Sequence, residues 1–402
     1  MAYDFDTVID RHGTDSVKWD FQEHFTGMTG LLPLWVADMD FRVPPEILGA
    51  IRRRVDHPVF GYVREPDSYY EAAAAWLARR HGWTVRREWM VSSPGVLPGL
   101  SAAILAFTRP GDGIVIQPPV YHPFAMRVKS NGRRVVENPL LLRDGAWHMD
   151  LDGLEKVIDQ GTRMLILCSP HNPVGRVWER ETLARLAETC RARGVLIVSD
   201  EIHGDLVMPG HRHTPIASLS ESSAANTVTL VAATKTFNIA GLGGSLSIVG
   251  DESRRTAFEA QQYAIFSAAP NAVAVAASEA AWRHGGPWLE ELLVYIQDNY
   301  TLLRDFLEAK LPAVRTFPLE GTYLAFLDMR GLGLTEASLK ERLLRDARVW
   351  LDDGAKFGRG GECMQRLNLA CPRSVLVEAL ERMAGAFSPA AAAEAASLPG
   401  PG

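Results

Sequence analysis

Four short apolar runs, each ending in polar or glycine-containing residues, restrict the fold of this chain more than any other feature. They cover residues 113–117, 163–168, 195–199 and 227–232. The stretches between them have helical periodicity. Over 181–193, for example, Leu183, Leu186, Ala187 and Cys190 recur at helical spacing. Strands alternating with helices predict an α/β architecture, a mostly parallel sheet covered by helices.

The pattern changes towards the carboxy terminus. Residues 286–310 read as one long amphipathic helix, 322–328 and 365–370 as strands, and 375–387 as a closing helix. A smaller α+β lobe is therefore expected, joined by the amino-terminal segment. The division drawn is 1–45 with the small lobe, 46–287 as the large domain, 288–387 as the small domain, and 388–402 as a disordered Ala/Pro/Gly tail. A chain of 402 residues has room for both cores.

Composition excludes several function classes. The 42 basic and 48 acidic side chains leave a formal charge of −6 with no basic run, so no nucleic-acid surface is expected. Cys168, Cys190, Cys363 and Cys371 form no C-x-x-C pair, which argues against a zinc site or a disulfide framework; no metal is expected. The polar amino terminus and the lack of any long apolar run predict a cytoplasmic protein without a membrane segment.

Four segments at strand ends carry candidate chemistry, because ligands of α/β sheets bind there. Ser92-Ser93-Pro94-Gly95-Val96-Leu97 precedes an apolar helical run and could offer free N–H groups to a phosphate, or could be an ordinary helix start. Gln117-Pro118-Pro119-Val120-Tyr121 places a tyrosine as a wall over a planar ligand, or in a surface turn. Pro170-His171-Asn172-Pro173 and Ser199-Asp200-Glu201-Ile202-His203 follow two neighbouring strands. A buried Asp200 needs a cation, either a protonated ring nitrogen or an arginine. Lys235, just after the fourth run, is a candidate nucleophile and base if its pKa falls to about 7–8, or else a helix-start lysine.

Together these segments resemble the fold-type I enzymes that use pyridoxal 5′-phosphate (PLP), the class I/II aminotransferase superfamily. Trp35-Val36-Ala37-Asp38-Met39-Asp40-Phe41, Phe60-Gly61-Tyr62, Pro170-His171-Asn172-Pro173, Lys235-Thr236-Phe237-Asn238, Glu320-Gly321-Thr322-Tyr323 and Arg366-Leu367-Asn368-Leu369-Ala370-Cys371-Pro372-Arg373 resemble the MalY/PatB-type cystathionine β-lyases. The resemblance runs from Trp35 to Ala386. It implies that Lys235 holds PLP as a Schiff base and acts as the base at Cα, that Asp200 pairs with the pyridinium, and that Tyr121 stacks on the ring. It further implies Asn172 and His203 at the phenolic oxygen, and Gly95, Val96 and Thr234 at the phosphate. Tyr62 would reach the phosphate of a second copy in a homodimer. Arg373 would grip the substrate carboxylate, with Ala37 and Asp38 beside the substrate.

The implied reaction is α,β-elimination of cystathionine or another S-substituted cysteine to thiol, pyruvate and ammonia. Transamination, decarboxylation and a regulatory role through protein contacts are the alternatives. Three departures stand out: Gly243, where aminotransferases often have a phosphate-binding arginine; Ser169, where this branch usually has asparagine; and the charged loop Leu351-Asp352-Asp353-Gly354-Ala355-Lys356.

Overall fold

The computed structural model describes residues 2–265 and 270–388. Its larger sheet has seven strands: β1 (Met90–Ser93), β2 (Gly113–Ile116), β3 (Arg134–Glu137), β4 (Thr162–Cys168), β5 (Leu196–Asp200), β6 (Thr227–Val231) and β7 (Ser245–Val249). They lie in the order β1-β7-β6-β5-β4-β2-β3. β7 is antiparallel to both neighbours, whereas β6, β5, β4, β2 and β3 pair in parallel.

The continuous apolar character of these strands follows from burial on both faces. On β4, Met164 and Ile166 pack into a core with Ile114, Val198 and Leu230. Leu165 and Leu167, which point the other way, pack with Ile197. α1 (Val96–Phe107) covers the first face with Leu100 and Ile104, and α2 (Arg180–Ala192) covers the second with Leu183, Leu186 and Cys190. Each fully buried side chain of this size contributes about 1.5–3 kcal/mol.

The smaller sheet is antiparallel, in the order β8 (Arg315–Thr316), β9 (Leu324–Asp328), β11 (Met364–Asn368), β10 (Asp352–Asp353). α3 (Gly286–Lys310) and α4 (Arg373–Ala386) complete this part of the chain. The amino-terminal segment is laced onto it. Leu32–Pro33 pairs in parallel with Val349–Trp350, and the Asn368 amide donates to the carbonyls of Val36 and Asp38. This lacing fixes the backbone around Ala37.

Boundaries moved where local geometry dictated. α1 starts at Val96 because the extended backbone of Gly95 (φ 171°, ψ 167°) delivers the chain straight into the helix. β9 starts at Leu324 rather than 322, since Thr322 has φ +68° and turns its hydroxyl to the Leu324 N–H. α4 begins at Arg373, directly after Pro372, rather than at 375. No helix among the described residues is long and apolar enough to cross a membrane. Beyond Ser388, the expected tail lies outside the described residues.

Candidate active site

The parallel strands deliver their carboxy ends side by side. Cys168 of β4 stands opposite Asp200 of β5, and Asp200 opposite Leu230 of β6. After β6 the chain turns at once into the short helix Ala233–Thr236, which carries Lys235. A cleft of about 280 Å³ opens over these strand ends. Gly95, Val96, Tyr121, Asn172, Asp200, His203, Thr234, Lys235 and Ala37 all line it.

Lys235 keeps a partly open face to the cleft, yet its pKa is brought down from 10.5 to about 8. Burial of the amine is the largest cause; the positive charge of Arg366 adds to it, and Asp38 and Asp200 oppose it. The amine donates to the Ala37 carbonyl at 2.5 Å. The hydroxyl of Tyr323, fully buried, donates to the same oxygen at 2.8 Å.

Asp200 is buried, and burial pushes its carboxyl up to about 7 despite the Ile202 N–H at 3.1 Å and the charge of Lys235. Asp200 makes no ion pair among the described residues. His203 is driven well below its usual range, first by burial and then by Lys235 and Arg366, so its ring is neutral. Its Nδ1 has no partner among the described residues. Burial, with Asp200 nearby, also raises the Tyr121 phenol, which stays protonated.

At the far end of the cleft, α1 begins with no side chain capping it, so its first N–H groups face the space beside Gly95. Gly243 and Gly244 line the same corner with φ of +74° and +89°. The Gly244 N–H donates to the Pro94 carbonyl at 2.8 Å, and a Cβ on Gly243 would lie only 2.8 Å from that oxygen. The missing arginine thus has a steric reason: the backbone itself closes this corner.

Two expected residues, Arg373 and Asp38, do not line this cleft, and Tyr62 was expected at the cleft of a second copy. Arg373 starts α4, half-exposed, with its guanidinium 3.6 Å from Asp298 and over the Tyr295 ring, and it does not line the cleft. Asp38 faces an adjoining cleft, its two oxygens taken by Arg11 at 2.7 and 3.2 Å. Tyr62 is fully exposed and touches nothing in the cleft of its own chain.

Arg366 is the residue that sequence reasoning passed over. It is buried in β11 and donates to the Asn172 amide oxygen at 3.0 Å, the Trp35 carbonyl at 2.8 Å and Asp352 at 2.7 Å. Its Nε has no partner among the described residues. Its charge acts on Lys235, Tyr121 and His203 alike. A charged residue inside a segment read as a strand, between Gln365 and Leu367, was the signal available.

The aminotransferase class I and II family model matches residues 30–383. The chain is 46% identical over 385 residues to cystathionine β-lyase PatB of Bacillus subtilis, spanning 96% of this chain and 100% of that protein. It is 34% identical over 377 residues to the protein MalY of Escherichia coli, spanning 93% and 96% of the two chains. Among solved structures, cystalysin from Treponema denticola, which contains a pyridoxal 5′-phosphate cofactor, superposes with a TM-score of 0.93. That match has 37% sequence identity and covers 96% of this chain and 99% of the other.

Proposed function

The chain belongs to the aminotransferase class I and II family, in the branch of the PatB- and MalY-type cystathionine β-lyases, and we propose that it is a PLP-dependent carbon–sulfur β-lyase acting on S-substituted cysteines. One observation carries this reading: an amine with a lowered pKa and a buried acid line one cleft, and a buried arginine is bonded to Asn172 in its wall.

The residues fit PLP. Lys235 supplies the amine for covalent attachment. The buried carboxyl of Asp200, pushed up to about 7 by burial, suits a protonated ring nitrogen. Tyr121 offers a flat face, and Asn172 with the orphaned His203 ring offers polar groups for the phenolic oxygen. Gly95, Val96 and Thr234, at and beside the uncapped start of α1, suit a phosphate. When bound, PLP draws off the electron pair left at the substrate Cα.

The protein's own part is orientation and proton transfer. Lys235, at about 8, is close to the pH at which a base both accepts and gives up a proton readily. It takes the Cα proton. Arg366 holds the substrate carboxylate through the donors it has left, a role for which Arg373 is poorly situated. The Cα–H and Cβ–S bonds break, sulfur leaves as thiolate and takes up a proton, and the three-carbon remainder reacts with one water to give pyruvate and ammonia. A thiolate leaves readily, so the protein's contribution is chiefly positioning.

In the same reading, the exposed Tyr62 reaches the phosphate of a second copy, the working unit is a cytoplasmic homodimer, and the lobes divide at 46–287 and 288–387 with 1–45 on the smaller one. The direct test is thiol release from an S-substituted cysteine by PLP-loaded protein. Wild type is expected to release it and Lys235→Ala is not; equal release by both would overturn the proposal.

A further inference from the structure

A second cleft, of about 510 Å³, adjoins the first at Lys235. It shares Ala37, Lys235 and Ala240 with the first. A substrate with its Cα at Lys235 therefore has direct access to it for whatever its sulfur carries. Ile9, Val17, Val36, Met39 and Phe41 make most of its wall apolar.

Several polar groups in this wall are already engaged. Arg11 is held by Asp38 and Asp40, each at 2.7 Å. Lys18, wholly buried behind them, lies 2.6 Å from Asp40. The Asn238 amide donates both its protons to the backbone, to Met39 at 3.0 Å and Phe41 at 2.9 Å. Asp15 lines the cleft exposed and has no ion pair among the described residues. Around this cleft Arg11, Lys18 and Lys235 thus stand against Asp15, Asp38 and Asp40. An incoming carboxylate would have to compete with Asp38 and Asp40 for Arg11 and would meet the exposed Asp15, whereas an alkyl or aryl group would gain apolar cover.

We propose that this second cleft receives the sulfur substituent and that it selects uncharged thiol leaving groups over those bearing a carboxylate. The inference rests on the carbon–sulfur lyase reading. It sharpens that reading by placing simple S-alkyl and S-aryl cysteines above conjugates whose thiol carries an acid.

The test compares S-ethyl-L-cysteine with S-carboxymethyl-L-cysteine, substrates of similar length, by thiol release from the PLP-loaded enzyme. A kcat/KM ratio of about tenfold or more in favour of S-ethyl is expected, the scale on which pocket contacts discriminate between small groups. Asp38→Asn, which loosens one of the two carboxylates on Arg11, should lower that ratio several-fold by improving the carboxymethyl substrate. Asp15→Asn, exposed and at φ +58° where asparagine is tolerated, should act in the same direction without touching the core. Equal kcat/KM for the two substrates in wild type overturns the proposal, as does an unchanged ratio in Asp15→Asn. No thiol from either substrate overturns it together with the lyase reading, and so marks that deeper failure separately.

Discussion

The Arg366 guanidinium donates to the Asn172 side-chain oxygen at 3.0 Å, joining the four-stranded sheet to the loop after β4 at the edge of the cleft. Asp352 lies opposite Arg366 in the neighbouring strand and takes a second donor at 2.7 Å. The arginine is thereby held in one orientation with its Nε free.

That arrangement separates two arginines that the sequence alone leaves equivalent. Arg366→Ala should lower kcat/KM about a hundredfold or more, since losing one partner of a buried charged pair costs about 2–5 kcal/mol. Arg366→Lys should recover little, lacking the planar fork. Arg373→Ala, at a half-exposed site, should stay within about threefold of wild type. Steady-state kinetics on the three variants decide the assignment.

The lowered pKa of Lys235 can be followed without turnover. Only the neutral amine attacks PLP, so the rate of cofactor capture by apoprotein should rise with pH and level off above about 8. An unshifted lysine would keep accelerating towards 10.5. Stopped-flow absorbance across pH 6 to about 10 distinguishes the two profiles.

Asp200 links cofactor to stability. Its ordinary pKa is 3.8 and its folded value about 7, so between these the folded apoprotein holds a proton that the unfolded chain has released. Apoprotein stability therefore falls as pH rises through that window and flattens above it. A pyridinium beside the carboxylate removes this penalty, so the gap in Tm between holoprotein and apoprotein should widen from pH 5 to about 8. Asp200→Asn should abolish the Asp200 part of this trend, as read by thermal unfolding of both forms.

Gly243 should tolerate no side chain. Gly243→Ala meets the Pro94 carbonyl at 2.8 Å and keeps φ near +74°, a combination expected to cost about 1–3 kcal/mol and to loosen PLP retention. Denaturant unfolding and dialysis of the bound cofactor would measure the two effects.

Much of the cleft was legible because strand direction does the placing. Asn172, Asp200 and Lys235 each follow an apolar run closely, and parallel strands must bring such residues to one edge. The rest depended on partners distant in the chain. Arg366 reaches Asn172 in the cleft wall because of its register against Phe326 and Asp352, which no short motif encodes. Arg373 sat in an equally suggestive context but came out at a helix start beside Tyr295. Asp38, expected beside the substrate, is claimed by Arg11, and the reason for Gly243 is a backbone approach to Pro94. Charge and register across long separations, rather than local pattern, set these positions.

The central claim is best tested by a full product balance on PLP-loaded protein given an S-substituted cysteine. Elimination predicts thiol, pyruvate and ammonia in equal amounts, with none formed by Lys235→Ala. A keto acid that keeps its sulfur, or carbon dioxide released with the amine retained, would contradict it.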